Sequence, residues 1–191
     1  MKSIKPRAIF STLKGIFPCL VLVAFAANSN ANEPVRAMSF NIRFDNPKDG
    51  DNAWPHRRDF VGELIREQKV DVLGLQEALR SQIDDLQERL PNYNWYGVGR
   101  DDGRRAGEYA PIFYNAERFE LINGGHFWLC EKPDEPGRKD WDSACTRITS
   151  WVSLREKNDN GELVGPKLYF YNAHYDHVSK EARLKLSLIH I

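Results

Sequence analysis

The sequence predicts an α/β layered sandwich, and three observations carry that expectation. The first half alternates strand-like and helix-like segments, the second half is strand-rich, and no linker divides the two. Of the 191 residues, 41% are apolar and 28% charged, so one compact domain is expected and low-complexity disorder is excluded.

The N-terminus reads separately from the domain. Lys2, Lys5, Arg7 and Lys14 precede a 12-residue apolar run from Ile16 to Ala27, followed by the small, polar Ser29-Asn30-Ala31. This is the pattern of a signal peptide over residues 1–31, with the domain over 32–191. The run is too short to cross a hydrocarbon core of ~30 Å, so no stable membrane insertion is expected after cleavage, and the mature protein is expected to be secreted or periplasmic. Phe17-Pro18 before Cys19 lacks the small residues of a lipidation signal. Without those four cations the charge is 23 positive against 27 negative, a net −4. The mature chain keeps Cys130 and Cys145, and in an oxidising compartment a bridge between them is expected, with two buried thiols as the alternative.

Met38, Phe40, Ile42 and Phe44 alternate with Ser39, Asn41 and Arg43, the two-residue period of a strand. After a loop, Phe60, Val61, Leu64 and Ile65 recur at helical spacing up to Gln68. Val70 to Leu75 is a short strand-like run, and Leu79, Ile83, Leu86 and Leu90 mark a helix that stops before Pro91. Beyond it, strands are predicted at Trp95–Val98, Ala110–Tyr114, Phe119–Trp128, Thr149–Leu154 and Lys167–His174, with a long loop from Glu131 to Thr146. Trp128, Phe127 and Trp151 read as core, His126 as a strand histidine and His56 as a loop histidine. A last helix begins near Lys180, and the abrupt apolar ending at Ser187-Leu188-Ile189-His190-Ile191 leads us to expect an incomplete reading frame.

No G-x-x-x-x-G-K-[ST] loop, H-E-x-x-H, G-x-S-x-G or G-x-G-x-x-G is present, which removes the P-loop, zincin, serine-hydrolase and dinucleotide readings. Asp45 to Asn52 superficially matches a calcium loop, but Pro47 and His56 would stand where two ligands are required, so it reads as an acidic surface loop. What remains is polar residues at strand ends: Asn41, Glu77 and His174. In an α/β sheet the carboxyl ends of strands share one crevice, where an amide, a carboxylate and an imidazole can converge. Each alone is equally an ordinary strand-end polar residue. Arg100, with Arg104 and Arg105 in a hairpin, and Arg147, leaving the long loop beside Trp141 and Asp142, are candidate phosphate contacts. Asp176 and His177 lie beside His174 and are candidates for the same crevice.

Four segments carry a resemblance: Met38-Ser39-Phe40-Asn41-Ile42-Arg43, Gly74-Leu75-Gln76-Glu77, Gly107-Glu108-Tyr109-Ala110-Pro111-Ile112-Phe113-Tyr114 and Asn172-Ala173-His174-Tyr175-Asp176-His177. In this order, over about Val35 to Arg183, they resemble the endonuclease/exonuclease/phosphatase superfamily. Its members are metal-dependent phosphoesterases related to pancreatic deoxyribonuclease and to deadenylases of the carbon-catabolite-repressor type. The resemblance implies a deoxyribonuclease-like sandwich, here truncated at the C-terminus, because the family's Gly-Asp-x-Asn and Ser-Asp-His segments are missing. It implies that Glu77 binds Mg²⁺ or Mn²⁺ with support from Asn41, that His174 is the first active-site histidine, and that Glu108 orients it. Tyr114, Arg147, Asp176 and Arg100 complete the expected substrate-binding set.

The expected function is therefore exported, metal-dependent hydrolysis of a phosphoester, inactive in a chain of this length; the alternative is a binding module that retains the fold without the chemistry. The substrate is a nucleic acid or a small phosphodiester or phosphomonoester, and the acidic mature charge gives no broad basic field for long nucleic acid. Cleavage after Ala31 is directly testable: Edman sequencing of exported protein should begin near Asn32, and an intact N-terminus retained in the membrane would refute the leader.

Overall fold

The computed structural model describes residues 33–188, so the expected signal peptide and the final residues 189–191 lie outside them. Strand β1 (Ala37–Asn41) pairs in parallel with β2 (Val72–Gln76), connected through a 3₁₀ turn (Pro47–Asn52) and helix α1 (Trp54–Glu67). Helix α2 (Arg80–Arg89) leads to β3 (Tyr93–Tyr96) and β4 (Ile112–Asn115), completing a four-stranded sheet in the order β1-β2-β4-β3. Strands β5 (Phe119–Trp128), β6 (Ile148–Lys157) and β7 (Leu163–Ala173) form a second, antiparallel sheet, and helix α3 (Lys180–Leu188) follows.

Strand β2 organises the layers because every one of its residues is buried. Its period of two sends Leu73 and Leu75 into a core with Val61 and Ile65 of α1 and Ile83 and Leu86 of α2. Its opposite face sends Val72 into a second core with Ile112, Val152 and Leu154, between the two sheets. The result is helices on sheet on sheet, the layered sandwich that the sequence predicts.

Across that second interface runs a polar bridge. Asn172 of β7 is buried; its Nδ2 donates to the carbonyls of Leu75 (2.6 Å) and Pro111 (2.9 Å), and its Oδ1 accepts from Gln76 Nε2 at 2.7 Å. Room for this amide exists because residue 74 is glycine: a Cβ there would lie 2.7 Å from Asn172 Cγ. At the far edge Arg118 ties the layers again, donating to Asp71 (2.8 Å) and Glu156 (2.7 Å).

Several sequence expectations need correction. Helix α1 begins at Trp54 rather than near Phe60, because Pro55 in the first turn has its φ already set for a helix and lacks the N–H a later position would require. His56 is thus helical, and Phe60, read as part of the apolar face, is 65% exposed. Trp151 is only half-buried and stacks on Tyr171. Tyr114 is buried in the core between the sheets, not in a crevice, because antiparallel pairing with Val72 turns its ring inward. Cys130 and Cys145 are free thiols: Cys130 is buried with its Sγ donating to the Lys132 carbonyl, whereas Cys145 faces a cleft.

If Asn172 and Gly74 form one unit, Asn172→Ala and Gly74→Ala should each destabilise by about 1–3 kcal/mol, the first by leaving buried polar groups unpaired and the second by overpacking. The double variant should lose less than the sum, since the added methyl then enters vacated space. Urea denaturation of the four proteins measures this; strict additivity would show that the two positions do not compete.

Candidate active site

The parallel pairing of β1 with β2 sets Asn41 opposite Gln76, so the chain leaves both strands at the same end of the sheet. Immediately beyond, Arg43 and Glu77 both adopt φ of 61°, a left-handed conformation that L-residues enter at a cost of about 1–2 kcal/mol. The turn at Glu77 places its carboxylate across from β1, where Asn41 Nδ2 donates to Oε1 (2.9 Å) and the Phe44 N–H to Oε2 (3.3 Å). Burial works to raise the Glu77 carboxyl, but these donations, with the nearby charge of Arg43, outweigh it and hold it below the usual range, ionised at neutral pH. Gln82 fixes the intervening loop, accepting from the N–H groups of Asp45 (3.1 Å) and Leu79 (3.0 Å) and donating to the Arg43 carbonyl (2.9 Å).

From the second sheet, β7 ends at Ala173 and delivers His174 one residue later, two beyond the Asn172 bridge. His174 and Glu77 line one cleft of about 370 Å³, together with Arg43, Phe44, Arg100, Glu108, Cys145, Arg147 and His177. Arg147, 3% exposed, donates from Nη1 to His174 Nδ1 (3.3 Å) and from Nη2 to His177 Nδ1 (2.9 Å). Burial, followed by the Arg147 charge, lowers the His174 pKa against the opposing pull of Glu77, so its imidazole is neutral at pH 7. A guanidinium only donates; His174 Nδ1 must be the acceptor, which leaves the ring proton on Nε2.

Two expected roles change. Glu108 does not orient His174: both line the cleft, but the Glu108 carboxylate is gripped by both terminal nitrogens of Arg100, at 2.6 and 3.1 Å. That bidentate pair is the stronger claim on a carboxylate. Asp176 is no substrate contact, since it is 1% exposed and accepts from the backbone N–H groups of Ala144, Val178 and Ser179 at 2.7–2.9 Å. Although burial raises its pKa, those donations and nearby Arg147 bring it down to about 2. Asp176 therefore anchors the long loop and the start of α3. Arg100 and Arg147 reach the cleft as expected, whereas Arg104 and Arg105 do not line it and Tyr114 lies in the core. Arg43, Phe44 and Cys145 join the cleft without having been expected there; Phe44 was legible only as one more apolar position in the β1 alternation and Cys145 only as a disulfide candidate.

The donor chemistry suits a hard cation that keeps most of its waters. Among the described residues no three of His, Cys, Asp and Glu gather as a chelating group. Glu77 instead offers an ionised carboxylate, with lone pairs beyond the two in use, to a polar cleft, as one-carboxylate Mg²⁺ sites require. Asn41 has its amide N–H₂ on Glu77 and its Oδ1 on the Arg43 N–H (2.9 Å), so it steadies the carboxylate.

Comparison with known proteins finds relatives by sequence and by fold. An endonuclease/exonuclease/phosphatase of Bacteroides vulgatus is 43% identical, with a TM-score of 0.76 over 81% of this chain and 57% of its own. A mannosyl-6-phosphatase of Bacteroides thetaiotaomicron is 34% identical, with a TM-score of 0.74 over 82% of this chain and 57% of its own. The Ccr4 3'-5'-exoribonuclease subunit of the CCR4-Not complex of Mycosarcoma maydis is 27% identical over 115 residues, 50% of this chain and 17% of that protein. The chain spans between 17% and 46% of the curated relatives it matches and a little over half of these solved structures. The model of the endonuclease/exonuclease/phosphatase family matches residues 38–188, from β1 through α3, and the chain belongs to that family.

Proposed function

We propose that the cleft hydrolyses a small phosphate ester with the help of a divalent cation, in an exported protein. One observation carries this reading: an ionised and anchored carboxylate, a neutral imidazole and a buried guanidinium open into the same 370 Å³ space. Sites for small molecules span roughly 300–1,000 Å³, and this cleft falls at the small end. The acidic mature charge gives little attraction for a long polyanion, and a relative 34% identical over most of the chain is a mannosyl-6-phosphatase.

Glu77 holds Mg²⁺ or Mn²⁺, with Asn41 and the Phe44 N–H fixing the direction of the carboxylate. A cation at that carboxylate supplies Lewis acidity to the phosphoryl group. His174 donates from Nε2 to a phosphoryl oxygen, and Arg43 and Arg100, each paired with a carboxylate, line the walls.

Glu77→Gln keeps the shape and removes the charge. In the full-length protein it should abolish phosphate release and weaken Mg²⁺ binding together, as read by a phosphate assay and calorimetry, with an unchanged circular dichroism spectrum. Wild-type turnover at low Mg²⁺ would show that Glu77 is no ligand.

His174 Nδ1 can accept from Arg147 only while the ring is neutral, because protonation puts an N–H there, and burial, followed by Arg147 and aided by Arg100 and His177 against the pull of Glu77, lowers its pKa. Activity should therefore persist below pH 6.5 and fall only as pH drops through that lowered value. His174→Ala should cut turnover by roughly 10²–10⁴ and erase this acid limb. A limb at or above 6.5, or one that survives the substitution, would assign it to another group.

A further inference from the structure

Arg147 holds more than one ring. Its two terminal nitrogens meet the Nδ1 atoms of His174 and His177, and its Nε lies 3.5 Å from Asp176 Oδ2 with no hydrogen bond of its own. All three partners come from the four residues His174-Tyr175-Asp176-His177 that follow β7. The segment is itself tied down, because Asp176 accepts from Ala144 in the loop leading to Arg147 and from Val178 and Ser179 at the start of α3.

The donor-only chemistry of guanidinium applies to both rings at once. Each Nδ1 must accept, so in each neutral ring the proton sits on Nε2. Both rings line the cleft, while the guanidinium behind them is almost wholly buried and has its two forks directed at the imidazoles. A side chain so placed is badly suited to gripping substrate directly, since turning a fork toward a phosphate would strip a ring of its partner.

Resting on the phosphoester reading above, we propose that Arg147 is a positioning residue that aligns His174 and His177 as paired Nε2–H donors, and that His177 is a second phosphate-contacting residue. Two neutral donors a short loop apart present hydrogen bonds to two oxygens of one phosphoryl group, and Arg147 acts on the substrate through them.

The test separates this from direct phosphate binding by Arg147 and from failure of the hydrolase reading. Arg147→Lys keeps the charge but replaces the two terminal nitrogens, one for each ring, by a single shorter-reaching one. In ¹⁵N-histidine-labelled protein without phosphate, both the His174 and His177 ring signals should change together, whether or not the protein is active. Inorganic phosphate with Mg²⁺ then serves as the probe of the donors. His177→Gln carries its amide near the Nε2 position and should retain most of the phosphate affinity. His177→Asn carries its amide near Nδ1, keeps an acceptor for Arg147, and should lose roughly ten- to a hundredfold, the worth of a hydrogen bond to a charged group. Arg147→Lys with unaltered histidine signals and lost phosphate affinity would make Arg147 a direct ligand and overturn the proposal. Full affinity in His177→Asn would remove His177 from the site. If Arg147→Lys does not fold, the two His177 variants decide the matter alone: equal affinities refute a donor at Nε2.

Discussion

The amide of Asn172 is the constraint on which the rest of the molecule depends. Glu77 and His174 belong to different sheets, yet a working cleft needs them held in register to within a fraction of an ångström. Asn172 achieves this in the dry space between the layers, where its hydrogen bonds reach the last two residues of β2 and the residue just before β4. Sliding β7 by one residue would turn Asn172 to the outer face and leave Gln76 and two carbonyls facing apolar side chains, a loss of several kcal/mol.

Electrostatic balance at the cleft follows from that frame. Three guanidiniums and two carboxylates line the cleft, but Arg100 is paired with Glu108, Arg43 is paired with Asp49 at 3.0 and 3.1 Å, and Arg147 lies 3.5 Å from Asp176, so Glu77 is the carboxylate at the cleft that no guanidinium grips. Glu77 stays charged despite partial burial because Asn41 and the Phe44 N–H stand in for lost water, and His174 stays neutral because burial and Arg147 act in the same direction. The left-handed backbone at Glu77 turns its carboxylate toward Asn41 of the neighbouring parallel strand, while Arg43, also left-handed, directs its guanidinium to Asp49.

Much of this architecture was legible because it is local. Strand β5 matches its predicted bounds, Phe119 to Trp128, although a register shift at Leu121 to Asn123 interrupts its pairing, and α2 matches to within a residue because Pro91 ends it. The start of α1 was missed because Trp54 and Pro55 precede the apolar repeat. At the site, Asn41, Glu77 and His174 were readable as strand-end polar groups within motifs. Their partners were not, because partnership is decided in three dimensions: Glu108 is 66 positions from His174, and only the folded hairpin shows that Arg100 reaches it first. Asp176 reads in sequence as one more acid beside a histidine; its three backbone donors come from segments that meet only after folding. Tyr114 misled for the same reason, since the way its ring turns was settled by pairing with Val72, whereas the two cysteines lie in the irregular segment between β5 and β6, where no periodicity indicates their partners.

The bridge at Asn172 also orders events in time. Its carbonyl partner at Leu75 lies 97 positions earlier in the chain, so the contact carries one of the larger loop-closure penalties in the fold. The pocket that receives the amide, made by Gly74, Leu75 and Pro111, exists only once β2 and β4 have paired, and both are synthesised well before β7. The first sheet can therefore assemble on its helices while the later strands are still in solution, and the second sheet must dock onto a finished surface. In that order of assembly the cleft shared by Glu77 and His174 is completed only when the second sheet docks.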